Sequence, residues 1–123
     1  MLRLQLAASV ATALFGAIIV IDGDTVKMDG TRYRLLGFDT PETYWSRCNA
    51  EWVAGKAATA RLKELLGTSE VGFAPTGKSC KWRRECARLY FNGEDVADIM
   101  VREGHAVRYT GRGLRKNWCA EVS

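Results

Sequence analysis

The chain has 123 residues, of which 47% are hydrophobic and 26% are charged, a composition typical of a globular soluble protein, and the sequence contains no repeat or low-complexity tract. It is long enough for one domain with its own core. The net charge of +4, from 18 Lys and Arg against 14 Asp and Glu, favours a polyanionic partner, although charge by itself is weak evidence.

The N-terminal run from Leu4 to Ile21 carries no charged side chain. Within it, Ala11-Thr12-Ala13 has the small-x-small form of an export-signal cleavage site. The run only just reaches the minimum length of a membrane span, so we expect no stable membrane insertion. We expect an export signal over residues 1–13, a domain over residues 14–123, and a periplasmic or secreted location rather than a cytoplasmic one.

The first predicted elements are three strands and a helix. The β-branched end of this run, Gly16-Ala-Ile-Ile-Val-Ile21, favours a buried first strand over residues 14–21. Residues 25–28 and 31–36 flank Asp29-Gly30, which is a strong type I′ hairpin signal. Residues 51–66 predict a helix, with Gly67 at its C′ position. Its inward stripe has helical spacing and consists of Ala58, Leu62, Leu65 and Leu66.

Two more strands and a helix follow. Residues 70–75 and 87–91 predict the fourth and fifth strands, and Asp95 caps a short helix over residues 96–103 that ends at Gly104. The order is three strands, a helix, two strands and a helix. It fits a small, partly open barrel of the oligonucleotide-binding (OB) kind or a two-layer α+β sheet, and the pattern does not choose between them.

Four cysteines permit two disulfides in three connectivities. Zinc is disfavoured because the chain has no C-x2–4-C pair and only one histidine. We favour Cys80–Cys86, which would pin a basic loop, and Cys48–Cys119, which would tie down the C-terminal segment. The alternative is four reduced thiols in a cytosolic protein.

Two short segments carry the chemistry, Val20-Ile-Asp-Gly-Asp-Thr25 and Arg34-Leu-Leu-Gly-Phe-Asp-Thr-Pro-Glu-Thr43. Their acidic residues Asp24, Asp39 and Glu42 are hard oxygen donors suited to Ca²⁺ or Mg²⁺. An isolated Asp-Gly-Asp or Asp-Thr-Pro usually forms a turn. Two such turns joined by a hairpin, with a phosphate-binding arginine between them, favour metal-assisted cleavage of a phosphodiester.

The two segments resemble the signature of the staphylococcal nuclease (thermonuclease) family. Arg84 followed by Ala87-Arg-Leu-Tyr-Phe-Asn-Gly93 resembles the same family's second arginine and fifth strand, and the resemblance spans residues 18–109. It implies an α+β, mainly β fold, a five-stranded OB-fold barrel with two to three helices.

The resemblance also implies a Ca²⁺ site. Its ligands would be Asp24, Asp39 and the backbone carbonyl of Thr40, with Asp22 in a turn or supporting role. Glu42 would act on the attacking water as a general base or positioner, since a carboxylate near a cation stays ionised.

Two arginines would hold the phosphate and stabilise the charge that develops on its oxygens. These are Arg34 and Arg84. Arg83 and Arg88 compete with Arg84 for the second role, and Arg84 is preferred because it aligns with the family's arginine. The only histidine, His105, is expected to be structural.

Substrate contacts are expected from a basic rim formed by residues 78–88 and 102–116. Lys81 and Trp82 match a lysine–aromatic pair that the family uses beside the nucleotide. Tyr109 adds a second stacking surface.

The predicted function is a monomeric, Ca²⁺-dependent nuclease that acts on DNA and RNA, with single strands favoured and little sequence preference. By resemblance the 5′-oxygen leaves and 3′-phosphates form. The alternative is a non-catalytic OB-fold module that binds nucleic acid. A third alternative, an exported structural or polysaccharide-associated protein, has no positive support in the sequence.

Overall fold

The structure, a computed structural model, describes residues 17–120. Within this range the chain forms eight strands and two helices, in the order β1 (Ile19–Asp22), β2 (Thr25–Met28), β3 (Thr31–Leu35), β4 (Phe38–Asp39), α1 (Asn49–Thr68), β5 (Val71–Cys80), β6 (Arg84–Phe91), β7 (Glu94–Asp95), α2 (Val96–Arg102) and β8 (Val107–Arg108). The predicted signal over residues 1–13 and the start of the predicted first strand lie outside the described residues.

One sheet carries most of the strands, in the order β1-β2-β3-β6-β5, and β7 pairs with β6. β1, β2 and β3 are antiparallel neighbours, whereas β3 and β6 are parallel. Asp29 and Gly30 have φ of 50° and 80°, which confirms the predicted type I′ turn between β2 and β3. β4 and β8 form a separate pair that the sequence pattern did not predict.

Helix α1 is longer than predicted at both ends. It begins after Cys48, whose sulfur accepts a hydrogen bond from the N–H of Glu51, and it continues to Thr68. The prediction that Gly67 ends the helix is wrong, because Gly67 lies inside it. The end is made by Ser69, whose N–H donates to the Leu65 carbonyl at 3.0 Å. The predicted inward stripe is confirmed, since Ala58, Leu62 and Leu65 are buried and Leu66 packs partly buried against the core.

Strand β5 is also longer than predicted, because the chain passes Pro75 and continues to Cys80. β5 lies at the edge of the sheet, where the missing N–H of a proline is tolerated, and its pairing with β6 is irregular between Pro75 and Ser79. Helix α2 is capped as predicted, with the Ala97 N–H donating to Asp95 at 2.8 Å, and it ends one residue before the predicted bound.

The core lies between the sheet and the two helices. Its fully buried side chains include Phe38, Leu62, Leu89 and Met100. The predicted α+β, mainly β fold is therefore confirmed. No pairing joins β1 to β5 across residues 17–120, so the sheet is open and a closed barrel is not confirmed. Neither α1 nor α2 is long and apolar enough to cross a membrane.

Two disulfides join the four cysteines in the favoured pairs. Cys48–Cys119 links the start of α1 to the C-terminal segment across 71 residues. Cys80–Cys86 closes the tip of the β5–β6 hairpin. Both pairs bear directly on the site, because each one anchors a segment that lines it.

Candidate functional site

An open cleft of ≈ 1540 Å³ lies beside the ends of β1, β3 and β4 and the tip of the β5–β6 hairpin. Eight of the nine predicted site residues line it: Asp24, Arg34, Asp39, Glu42, Lys81, Trp82, Arg84 and Tyr109. The ninth, Thr40, is buried directly after Asp39. The fold thus brings together predicted site residues that are up to 85 positions apart in the sequence, from Asp24 to Tyr109.

Arg34 lies at the centre of the acidic cluster. Its guanidinium donates to the backbone carbonyls of Leu35 and Phe38, the latter at 2.8 Å. It also lies 3.4 Å from Asp24 Oδ2 and 3.6 Å from Asp39 Oδ1. Five fixed N–H groups allow one arginine to serve carbonyls and carboxylates together, so Arg34 is held in one orientation.

Asp24 is positioned by the tight turn between β1 and β2. Its carboxylate accepts from the Thr25 hydroxyl at 3.0 Å and from the Thr40 N–H at 3.5 Å. Gly23 makes this approach possible, because a Cβ there would lie 2.9 Å from both the Ala58 Cβ and the Thr40 hydroxyl. The turn is therefore packed against both α1 and the segment that follows β4.

Asp39 is buried, with 2% of its surface exposed, and its Oδ2 has no hydrogen-bond partner among residues 17–120. Burial raises the pKa of Asp39 above its ordinary value, while the hydrogen bond and charge of Arg115 act in the opposite direction. An unpaired buried carboxylate oxygen is costly, so a cation is a fitting partner for it.

Ca²⁺ fits the oxygen donors present, which are the carboxylates of Asp24 and Asp39 and the carbonyl of Thr40. Within residues 17–120 no group of three His, Cys, Asp or Glu side chains is arranged to hold a metal ion. A cation here would depend on two carboxylates, a backbone carbonyl and water.

Glu42 faces the cleft but is paired with a residue that sequence reasoning missed. Arg115 Nη2 lies 2.8 Å from Glu42 Oε2 and 2.9 Å from Asp39 Oδ1. Burial raises the pKa of Glu42, and Arg115 offsets part of that rise. The sequence held one signal for Arg115: it stands four positions before Cys119, and the favoured Cys48–Cys119 bridge would bring its segment to the loop before α1.

The segment after Glu42 is fixed by a buried carboxylate, Glu51, near the start of α1. Glu51 is 1% exposed and accepts from the N–H groups of Glu42 at 3.3 Å and Arg47 at 2.9 Å. Burial raises the pKa of Glu51, but these two hydrogen bonds and the charge of Arg47 together lower it by more. The pKa of Glu51 therefore lies below its ordinary value. Glu51 thus supports the backbone from which Glu42 projects.

Arg84 enters the cleft from the first position of β6. Its Nη1 donates to the Thr25 hydroxyl at 3.0 Å and its Nε to the Lys81 carbonyl at 2.9 Å. Burial and the charge of Arg34 lower the pKa of Arg84. The two arginines flank the space in front of the acidic cluster.

The hairpin tip presents Trp82 to solvent, 83% exposed. Trp82 and Arg83 have φ of 62° and 57°, in the left-handed region that costs non-glycine residues energy. The Cys80–Cys86 disulfide spans this tip. A strained loop held by a covalent bond keeps an exposed ring beside the cleft.

Of the other residues considered for these roles, Arg88 and His105 lie outside the cleft, whereas Asp22 lines it. Arg88 pairs with Asp95 at 3.0 Å, outside the cleft. Asp22 accepts from the Thr43 hydroxyl at 2.6 Å, and burial raises its pKa. His105 does not line the cleft, and its N–H donates to the Met100 carbonyl at the end of α2.

The predicted basic rim is only partly present. Lys78, Lys81, Arg112 and Lys116 line the cleft. In contrast, Arg102 pairs with Glu94 and Arg108 pairs with Asp98, so these two belong to other surfaces.

Trp45 is a further aromatic residue of the cleft, in addition to Trp82 and Tyr109, and sequence reasoning missed it. It is 74% exposed, lines the cleft, and meets the edge of Tyr44 with ring centroids 4.8 Å apart. Tyr109, on the other side, donates its hydroxyl to the Gly113 carbonyl at 2.9 Å. Exposed rings beside a basic cleft are suited to stacking on bases.

Curated relatives cover most of this chain. The succinoglycan biosynthesis protein ExoI of Rhizobium meliloti (strain 1021) is 31% identical over 107 residues, which cover 81% of this chain and 54% of that protein. The endonuclease YncB of Bacillus subtilis (strain 168) is 35% identical over 95 residues, which cover 70% of this chain and 43% of that protein. The SPbeta prophage-derived endonuclease YokF of the same organism is 34% identical over 95 residues, 70% of this chain and 31% of that protein. The chain spans about half or less of the length of these relatives.

A family profile agrees with these relatives. The profile described as "Staphylococcal nuclease homologue" matches residues 32–119, which is well over half of the chain and includes Arg34, Asp39, Glu42 and Arg84. The chain belongs to the staphylococcal nuclease family.

Proposed function

We propose that this domain is a nuclease, a Ca²⁺-dependent phosphodiesterase that hydrolyses DNA and RNA. The observation that carries the proposal is the position of Arg34, 3.4 Å from Asp24 and 3.6 Å from Asp39, with Arg84 and Glu42 facing the same cleft. Carboxylates for a cation and guanidinium groups for a phosphate thus share one opening. Two of the similar proteins are named endonucleases, which supports the same activity.

Asp24, Asp39 and the Thr40 carbonyl would hold the Ca²⁺. When bound, the cation would neutralise phosphate charge and polarise the phosphorus–oxygen bonds. The unpaired Oδ2 of Asp39 supports this assignment, because a buried carboxylate oxygen needs a cationic or donating partner.

The side chains around this position divide the remaining work. Arg34 and Arg84 bind the non-bridging phosphate oxygens and stabilise the charge that grows there, with no proton transfer of their own. Glu42 accepts a proton from the attacking water or orients it. The 5′-oxygen leaves, so the products carry 3′-phosphates.

The substrate is bound mainly through its backbone and the faces of its bases. Lys81 supplies charge, and Trp82 and Tyr109 supply rings. Stacking requires unpaired bases, so single strands are favoured over duplexes. These contacts go to phosphates and to the faces of the bases, which carry little sequence information, and sequence preference should therefore be small.

We also propose that the domain acts as a monomer in an oxidising compartment, periplasmic or extracellular. The Cys48–Cys119 and Cys80–Cys86 disulfides support the oxidising compartment, since disulfides persist where thiol reductants are scarce.

The competing functions have less support. A non-catalytic binding module would not need Glu42 or a buried pair of aspartates beside Arg34. One relative is named a succinoglycan biosynthesis protein, but carboxylates for a cation beside three arginines are the groups that phosphodiester cleavage needs.

The test is degradation of single-stranded DNA and of RNA by the purified protein with Ca²⁺, then with a chelator, at neutral and alkaline pH. We expect cleavage with Ca²⁺ and none with chelator. Glu42→Gln serves as the inactive control and Arg83→Ala as the active one. Intact substrates in every Ca²⁺ condition would overturn the proposal.

A further inference from the structure

Arg115 binds two of the groups that a cation would need, the Asp39 carboxylate and the Thr40 carbonyl. Its Nε and Nη2 lie 3.0 Å and 2.9 Å from Asp39 Oδ1, and Nη2 lies 3.4 Å from the Thr40 carbonyl oxygen. The same Nη2 lies 2.8 Å from Glu42 Oε2. One guanidinium therefore covers two of the three proposed metal ligands and the proposed base.

A guanidinium bound to these groups opposes a cation there, even though Asp39 Oδ2 is left unpaired. Ca²⁺ takes oxygen ligands at about 2.3–2.6 Å, so at the Thr40 carbonyl and the Asp39 carboxylate it would lie close to the guanidinium, and the two positive charges repel one another. Arg34 differs in this respect, because it is held by the carbonyls of Leu35 and Phe38 and lies further from Asp39, at 3.6 Å.

The segment that carries Arg115 can release it without unfolding the domain. Its side chain is 42% exposed, and its hydrogen bonds and ion pairs all go to Asp39, Thr40 and Glu42. Residues 109–117 form neither helix nor strand. Cys119, four positions later, is tied to Cys48, so a released Arg115 stays near the site at high effective concentration.

We propose that Arg115 is a built-in competitor of the metal ion: it neutralises Asp39 and Glu42 in the metal-free protein and leaves them when the cation binds. The released guanidinium then faces the cleft, where a phosphodiester is its natural partner. Substrate and cation both favour the released state, so each strengthens the binding of the other. This inference rests on the cation dependence in the proposed function.

The test is calorimetric titration of the substrate-free protein with Ca²⁺. Arg115→Gln removes the competitor, and we expect its Ca²⁺ affinity to rise roughly fivefold or more, the usual lower range of coupling between sites. Arg112→Gln is the matched control. It removes the same charge from the same segment, and the Arg112 side chain has no ion pair within residues 17–120. Its Ca²⁺ affinity should change by less than about twofold, since only screened long-range attraction is altered.

Thermal unfolding gives a second readout. Arg115→Gln should lower the melting temperature of the metal-free protein, because Asp39 and Glu42 lose their counter-ion, and it should enlarge the gain on adding Ca²⁺. Arg115→Lys keeps the charge without the fork and should show a smaller rise in affinity than Arg115→Gln.

The outcomes separate the two proposals. Equal or weaker Ca²⁺ affinity in Arg115→Gln, with normal binding by the wild type, overturns the competitor role and leaves the proposed function standing. Absence of Ca²⁺ binding by the wild type and all variants overturns both. An affinity gain of the same size in Arg112→Gln would also contradict the inference, because it would reduce the effect to net charge.

Discussion

Gly55 in helix α1 lies directly against the backbone of Glu42: a Cβ at position 55 would stand 2.6 Å from the Glu42 carbonyl oxygen. The Pro41 carbonyl oxygen would be 2.9 Å away. Both neighbours are backbone atoms, which cannot rotate aside as a flexible side chain would. The packing of helix α1 at Gly55 therefore fixes the position of the backbone that carries Glu42, the proposed base.

Gly55→Ala should move this segment away from the cleft. We expect the unfolding free energy to fall by about 1–3 kcal/mol, which is typical of overpacking. We also expect kcat to fall, because Glu42 would be displaced from its position in the cleft. Gly67→Ala is the matched control, because it lies in the same helix with open space around it. It should stabilise the protein by up to about 1 kcal/mol. A Gly55→Ala protein as stable and active as the wild type would contradict the close approach.

Arg84→Ala should lower kcat by roughly 10²-fold or more, because the group acts on charge that develops in the transition state. The fold should persist, since Arg84 lies at the cleft and not in the core. Arg88→Ala is the comparison: it breaks the pair with Asp95 and should reduce stability slightly without altering kcat. The reverse pattern would make Arg88 the phosphate ligand. Steady-state kinetics and thermal unfolding of both variants decide this.

Arg83→Gly should stabilise the hairpin tip. A left-handed non-glycine residue costs about 1–2 kcal/mol, and Arg83 has φ of 57°. Glycine removes that cost but adds about 0.5–1 kcal/mol of unfolded-chain entropy, so the net gain is up to about 1 kcal/mol. The measurement is chemical denaturation of both proteins. Arg83→Ala, which keeps a Cβ in the same conformation, should not gain stability.

Glu51→Gln should destabilise the protein at neutral pH by about 1–3 kcal/mol, because two N–H groups lose a charged acceptor. The native pKa of Glu51 is lowered, so its ionised form stabilises the fold. That contribution is complete above the unfolded value of about 4.5 and is lost as pH falls through the lowered native pKa. The stability gap between wild type and variant should therefore narrow below about pH 4.5.

Thermal unfolding from acid to neutral pH measures this gap. Glu64→Gln is the control, since Glu64 is 61% exposed and its ion pair with Arg61 lies on the surface. Its effect should stay below about 1 kcal/mol at every pH. A gap for Glu51→Gln that does not change with pH would show that lost packing, and not charge, is responsible.

Trp45→Ala should weaken binding of single-stranded DNA by about 1–3 kcal/mol, the usual contribution of one stacked base. The binding measurement uses Glu42→Gln as background, so that the strand is not cleaved. Trp52→Ala is the control: Trp52 is 46% exposed but lies outside the cleft, beneath the Lys56 ammonium at 5.7 Å. Equal losses in both variants would mean that Trp45 is no part of the substrate path.

Local patterns in the sequence predicted the elements whose causes are local. Asp29-Gly30 makes its turn through the backbone freedom of two adjacent residues, and Asp95 caps α2 by reaching the N–H two positions ahead. The stripe of Ala58, Leu62 and Leu65 follows from helical geometry. The acidic motif and its arginine were also visible, because the hairpin between them is short and its register is set by its turn.

The tertiary structure decided what depends on distant contacts. Arg115 reaches Asp39 across 76 positions, and no local pattern distinguishes it from Arg112. Nothing in the sequence around Gly55 indicates that its helix packs against the Glu42 carbonyl. The physical reason is the same in both cases. Turns, helix caps and helical stripes are set by neighbours in the chain. The pairing of a given arginine with a given carboxylate is set by how the helices, the sheet and the Cys48–Cys119 bridge pack together.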